Sequence, residues 1–437
     1  MAEEKDAKSK AGAGAADFPV GGASARFTLF TVFLLYMVNY MDRQVFAATK
    51  VSMMADLGLS EAQHGFIQTV FLLLVSALAL PVAVAIDRWS RRKMLALMAM
   101  WWSLATAATA LMSGFGSMLG ARGAVAAGEA GYSSGGTAML SAAYPEGSRA
   151  KVMGIFNASI PLGAALGTVL GGVLCTLTGD WRTPFYVFAV PGIALGIMAL
   201  FLRDYVSVAV QTAQGERVGV AGGVSRLIRI PTLVFTYLGF VMNVFISNAM
   251  LYQLPSYFEY TRGVDAAKGS KLAATVFLLA LIGAPLGGFL ANRWKKSRSD
   301  ALLLFCALSS LLAAGLLFGG LVLHGRGLGY VLLCLWGVLT VCYLPPASAV
   351  TQDVVHPGLR AMSWGLCVFC MYLLGGAYSP WIVGALIDTF GGGARGIEQA
   401  MRLVPATGVL AALLFWAGSR HYARDAARAE KVALKAE

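Results

Sequence analysis

The chain has 437 residues, 58% of them hydrophobic and only 13% charged, with a formal net charge of +12. A soluble domain carries about 25% charged residues, so this composition excludes a water-soluble globular protein. The surplus of Lys and Arg reads as an insertion signal facing anionic lipid and not as a nucleic-acid footprint.

Apolar stretches long enough to cross a bilayer core recur almost to the C-terminus, and twelve of them are predicted as transmembrane helices. Runs of this length without period-two alternation are helices, not barrel strands. Residues 1–25 are polar and rich in Ala, Gly and Lys, without the order of a cleavable signal peptide, and read as a cytoplasmic tail. Spans at 26–48, 63–86, 93–113, 116–144, 151–177 and 184–202 form an N-terminal six-helix bundle over 26–203. Residues 204–230, with Gln214, Gly215, Glu216 and Arg217 at their polar centre, link it to a second bundle over 231–420. The spans of that bundle are 231–257, 272–291, 301–323, 328–350, 361–386 and 404–417. Residues 421–437 form a basic cytoplasmic tail, read as solvated or as a short amphipathic helix on the membrane surface.

An even number of spans puts both termini on one side. With the termini inside, the Lys and Arg count is 24 in cytoplasmic segments against 8 in outer loops, which fixes both termini in the cytoplasm. A short chain without large glycosylated loops fits a bacterial inner membrane, and a monomer is expected.

Two basic motifs, Asp87-Arg88-Trp89-Ser90-Arg91-Arg92-Lys93 and Asn292-Arg293-Trp294-Lys295-Lys296-Ser297, lie 205 residues apart at the ends of spans 2 and 8. A second repeat sets Pro145-Glu146-Gly147-Ser148-Arg149 before span 5 and Pro357-Gly358-Leu359-Arg360 before span 11. Internal duplication in an apolar chain points to a transporter whose halves rock about a central site. The loop motifs then read as a cytoplasmic gate. Asp87 accepts at a facing helix N-terminus, Arg91 and Arg92 reach Glu146, and Asn292 with Arg293 makes a weaker second copy.

Other chemistries find no support. The six cysteines all fall in apolar spans, so Cys367-x-x-Cys370 reads as packing, and His64, His324, His356 and His421 form no ligand-spaced set. No phosphate-binding Gly-Lys-Ser/Thr order occurs, so neither a metal nor any cofactor is implied, and no nucleophile and base suggest an enzyme. Energy for pumping must come from an ion or solute gradient.

Only four charges lie well inside the spans: Asp42 and Arg43 on span 1, Arg122 and Glu129 on span 4. Each costs about 2.5–3.5 kcal/mol in lipid even on the forgiving insertion scale, so they must face inward and pair. They form the candidate substrate and proton site, in which the arginines hold an anionic group and a carboxylate exchanges a proton. The alternative is a fixed ion-pair network that only orients two helices. Tyr36, Asn39, Gln68, Asn157, Asn243, Tyr252 and Tyr343 are further candidate lining residues, with interhelical hydrogen bonding as the plainer reading. Gly163, Gly167, Gly171 and Gly172 on span 5, and Gly283, Gly287 and Gly288 on span 8, read as close helix contacts.

The chain resembles the major facilitator superfamily, and its first half resembles the spinster branch. The matching residues are Asn39-Tyr40-Met41-Asp42-Arg43, Gly65-Phe66-Ile67-Gln68-Thr69-Val70-Phe71, the run from Arg122 through Glu129 to Ser133, and Ile160-Pro161-Leu162-Gly163. In the second half Ser379-Pro380-Trp381 through Asp388 resembles the family's span 11, with Gly376 where many members carry an aspartate. The resemblance implies an alternating-access carrier of lysophospholipid or sphingoid type, proton-coupled in some members, with the same four charges at the cavity centre. Phe240, Phe245, Tyr252, Tyr343 and Trp364 would then line an apolar sub-cavity for an acyl chain, or pack as core. Two other functions stay open: a proton-linked transporter of small organic anions or amphipathic drugs, and a membrane sensor that binds without transporting.

Overall fold

The computed structural model describes residues 21–144, 146–204, 220–323, 327–355 and 360–428, and these are helical, with no strand among them. The N-terminal half comprises α1 (Gly22–Ala48), α2 (Lys50–Leu57), α3 (Glu61–Arg88), α4 (Arg91–Thr109), α5 (Phe115–Glu129), α6 (Tyr132–Ala143), α7 (Glu146–Thr178) and α8 (Thr183–Ala199). A short α9 (Val220–Leu227) precedes the C-terminal half: α10 (Pro231–Arg262), α11 (Ala266–Lys295), α12 (Ala301–Val322), α13 (Gly327–Leu339), α14 (Leu344–Asp353) and α15 (Arg360–Met371). After a π-helical turn, Tyr372–Gly376, come α16 (Ser379–Thr389), α17 (Gly393–Leu403) and α18 (Pro405–Arg428).

Twelve crossings result once α5 with α6, α13 with α14, and α15 with α16 are each taken as one broken helix. Among the described residues, nine helical stretches are long and apolar enough to cross a membrane. The other three crossings fall short for visible reasons. α4 opens on Arg91, Arg92 and Lys93, the α5/α6 crossing is interrupted at Ala130 and Gly131, and α8 has only 17 residues.

Two of these breaks depart from the continuous spans read in the sequence. Gly131 sits where an added Cβ would lie 2.4 Å from Val82 Cγ1, so the chain closes onto α3 there and the helix yields immediately after Glu129. In the other half the helix gives way over residues 340–343, where Gly287 packs so tightly on Cys342 that an added Cβ would fall 2.1 Å from its carbonyl oxygen.

Helix ends follow local chemistry, and the two halves repeat it. Gly58 ends α2 with φ 63°, and Ser60 then opens α3 through a capping box with Gln63. Exactly 205 residues later Gly263 ends α10 with φ 59° and Asp265 caps α11 by accepting from Lys268 N. Left-handed glycine at the stop and an oxygen-bearing side chain at the next start are the expected signals. The offset equals that of the basic motifs, so the duplication extends to the turns on the opposite side.

The described ends of α1, α10 and α18 gather at one end of the molecule, here the terminal end. There Asp425 of α18 accepts from Thr232 N and Thr232 Oγ1, capping α10 from another helix. Residues 421–428, read in the sequence as the start of a tail, are thus the last turns of α18, with Tyr422 and Asp425 buried. Residues 1–20, 205–219 and 429–437 lie outside the described residues.

Candidate functional site

The four buried charges meet between α1 and α5, paired crosswise. Arg43 Nε donates to Glu129 Oε2 at 2.7 Å, and Arg122 Nη1 stands 3.7 Å from Asp42 Oδ2. Phe71 of α3 lies under both guanidinium groups, 4.5 Å from Arg122 and 5.7 Å from Arg43, while Phe46 and Tyr40 cover their other approaches. Planar cations on aromatic faces are stabilised most where water is excluded. The pairs differ in access: the Arg43 side chain keeps 15% of its surface exposed, whereas Asp42 and Arg122 are sealed.

Much hydrogen-bonding capacity stays free at this point. Neither carboxylate oxygen of Asp42 nor any of the three Arg122 nitrogens makes a well-formed hydrogen bond, and both amide atoms of buried Asn39 are also without one. Buried polar groups left so are costly. The arrangement therefore suits groups that change partners: a proton on a carboxylate, or an anion on Arg43.

The softer candidates divide by place. Tyr36 stacks on Phe156 with centroids 4.7 Å apart and meets Tyr40 edge-on, beside the charge cluster, and Gln68 is buried on α3. Asn157 is exposed on α7. Asn243 donates to Ser310 Oγ at 3.0 Å and Tyr343 packs between Phe240 and Phe415, so both lie inside the C-terminal bundle. Gly376 abuts the side chains of Val244 and Asn248, where an added Cβ would come within 2.8–3.0 Å, so an aspartate there would require those side chains to move.

At the terminal end Arg91 is buried at the start of α4, Arg92 is half-buried, and Asn292 and Arg293 are exposed. The side chains of Asp87 and Glu146 lie outside the described residues.

Tyr252 belongs to a different structure, a polar seam at the distal end. Its hydroxyl donates to the His64 carbonyl oxygen at 3.0 Å and also bonds His64 Nδ1, joining α10 to α3. Beside it Lys50, fully buried, pairs with Glu61 and bonds Gln253 Oε1 and Ser256 Oγ across the two halves. Asp388, at the end of α16, accepts from Glu61 N at 3.1 Å and Ala62 N at 2.7 Å, capping α3 from the opposite half. Gly65 and Gly384 let the same helices touch, since an added Cβ would fall 2.3 Å from Pro380 O and 2.4 Å from Glu61 O. The inter-half hydrogen bonds of Lys50, Tyr252, Asp388 and Ala267 all lie at this distal end, and the structure is closed there.

The sequence reading missed Lys50 and Glu61 because it counted both as loop charges. A signal existed: Asp42, Phe46 and Lys50 recur every four residues and so share one face of the continuing helix.

Residues 32–380 match the family model of the Major Facilitator Superfamily. The chain belongs to that superfamily. The facilitator fold is that of transporters, and this chain is accordingly a transporter in a membrane, not an enzyme. Among curated relatives it is 27% identical over 383 residues to Protein spinster of Drosophila melanogaster, covering 84% of this chain and 62% of that one. It is 24% identical over 444 residues to Protein spinster homolog 1 of Xenopus tropicalis, covering 94% and 84%. In structure it superposes with TM-score 0.82 at 19% identity, over 93% of this chain and 99% of the other, on a bacterial homolog of the human lysosomal transporter Spinster, solved inward-facing and unoccupied. A D-xylose-proton symporter matches with TM-score 0.69 at 15% identity, over 89% and 97%.

Proposed function

We propose that this facilitator is a spinster-like, proton-coupled carrier of an amphipathic substrate with an anionic or zwitterionic head group, such as a lysophospholipid or sphingoid phosphate. It acts as a monomer in a bacterial inner membrane, and the Lys and Arg distribution supports cytoplasmic termini. The carrying observation is the half-open Arg43–Glu129 pair beside the sealed Arg122–Asp42 pair.

Arg43 is the group a substrate phosphate meets, because only its guanidinium is both charged and reachable. When the anion takes Arg43, Glu129 loses its cation in a buried place and binds a proton. Asp42 and Arg122 then hold the balance on the far side of Phe71. The distal end is closed and carries the inter-half bonds, so with the termini inside this is the state that loads or releases on the cytoplasmic side.

Flux in proteoliposomes tests the proposal, with labelled lysophospholipids and a panel of small organic anions, with and without an imposed pH gradient. Gradient-driven lysophospholipid flux that Glu129→Gln abolishes supports it. Flux of small anions alone would replace the lipid substrate with an organic anion, and binding without flux would overturn transport of either.

A further inference from the structure

The distal seam contains more charge than its closure needs. Lys50 is sealed from solvent, and Glu61 beside it is 3% exposed. Both belong to the N-terminal half, and the side chains that bond or cover them from the C-terminal half, Gln253, Ser256, Tyr252 and Tyr260, are neutral, with the Glu259 carboxylate of that half nearby. Further titratable groups around this pair are His64 on α3, Tyr260 and Glu259 on α10, Asp388 on α16, and Asp265 before α11. Glu259 has Lys50 as its neighbouring cation but is only half-buried, and Asp388 is engaged with backbone amides.

Separating the halves at this seam breaks bonds from Lys50 to neutral oxygens, the His64–Tyr252 bond and the Asp388 cap. It does not pull Lys50 away from Glu61. A buried ion pair that must split repeatedly would be slow and costly, since each unpaired buried ion carries a penalty of several kcal/mol. Here the two paired ions travel together, and the direct bonds Lys50 makes across the seam are to neutral groups.

We propose that Lys50 is the positioning residue of the outer gate: it neutralises Glu61 so that the seam between the halves can close dry and reopen without splitting the Lys50–Glu61 pair. This inference rests on the alternating-access reading, not on the identity of the substrate. Lys50 sets the balance between distal-closed and distal-open states by removing the cost of burying the Glu61 carboxylate. Without Lys50 the Glu61 carboxylate is buried without its cation and disfavours closure.

Hydrogen exchange read by mass spectrometry on the full chain in lipid nanodiscs tests this without any substrate. The reporting amides are those of Glu61 and Ala62, which are bonded to Asp388 only when the seam is closed, together with peptides covering 253–256. Lys50→Met keeps the side-chain length and removes the charge. At neutral pH it is expected to speed exchange in these peptides by about a hundredfold, with the rest of the bundle unchanged. The double variant K50M/E61Q should return to the wild-type rate. Wild-type protection in K50M overturns the proposal. So does opening that E61Q does not reverse, which would make Lys50 a packing residue, and so does a double variant that folds no better than K50M. Loss of lysophospholipid flux with normal exchange behaviour would leave the gate intact and strike only the substrate reading.

Discussion

Arg122 pairs with Asp42 of a neighbouring helix and not with Glu129, the acid seven positions along its own crossing, even though that spacing puts both on one helix face. Glu129 instead accepts from Arg43 at 2.7 Å. The crossed pairing ties α1 to α5 twice and gives the two pairs different access to solvent. Substitutions on the two sides should therefore fail in different ways.

Glu129→Gln removes the partner of the reachable arginine while keeping its shape. Arg43 stays charged and partly solvated, so the protein should fold with nearly unchanged thermal stability. Flux driven by a pH gradient should fall at least about tenfold, because the proton acceptor is gone, while substrate exchange at equal pH on both sides persists. Equal loss of both modes would show that Glu129 only positions Arg43.

Asp42→Asn acts on the sealed pair and leaves the Arg122 cation without its anion. Breaking a buried pair on one side costs about 3–5 kcal/mol. The variant should lose stability measured by thermal unfolding in detergent or nanodiscs, and Asp42→Asn combined with Arg122→Met should recover part of it. If Asp42→Asn keeps full stability, Arg122 must have found another partner or given up its proton.

Helix packing offers a sharper steric test. An added Cβ at Gly167 of α7 would lie 2.3 Å from Met41 O and 2.5 Å from Met41 Cα. Gly167→Val must push α7 off α1 at Met41, next to Asp42 and Arg43, at a cost of about 1–3 kcal/mol for overpacking. Flux and stability should both drop, whereas Gly179→Ala, at a loop position with open space but φ 69°, should cost stability alone.

The twelve crossings and the clustering of four buried charges were legible because each rests on a strong local signal: long apolar runs for the helices, and the expense of charge in lipid for Asp42, Arg43, Arg122 and Glu129. The pairing was not legible. Spacing places Arg122 and Glu129 on one face, but which neighbour each meets depends on how α1 docks, and that is set by Gly163 and Gly167 closing on Met37 and Met41. Lys50 and Glu61 were hidden for a similar reason. A charge near a span end reads as solvated, and only the other half, brought over it by Gln253, Ser256 and Asp388, buries it. Asn243 and Tyr343 carried a polar signal that hydrogen bonding or packing inside one bundle already satisfies.

Outside the membrane, Asp56 at the end of α2 accepts from the Trp181 indole at 3.1 Å and pairs with Arg182 at 2.8 Å. The Trp181 hydrogen bond, with help from Arg182, holds its carboxyl below the ordinary value of 3.8. A lowered folded-state value stabilises the fold above the unfolded pKa, and that contribution disappears as pH falls through the folded value. The Tm difference between wild type and Asp56→Asn should thus be constant at neutral and mildly acid pH and vanish only below about pH 3.8. Because the pair is exposed, the difference itself should be small; a difference that grows on acidification would contradict the assigned partners.

Asp388→Asn separates gate from site. The carboxylate caps α3 from the other half, where an anion meets the positive end of a helix and two free N–H groups. Asparagine keeps one acceptor but loses the charge, which should weaken distal closure by about 0.5–2 kcal/mol, the usual worth of a cap. The charge pairs between α1 and α5 are untouched, so substrate affinity measured from the distal side should rise in proportion to the distal-open population, while affinity from the terminal side falls only as far as the terminal-open population shrinks. Equal affinities from both sides in wild type and variant would mean that the cap is bonded in both states and does not belong to the gate.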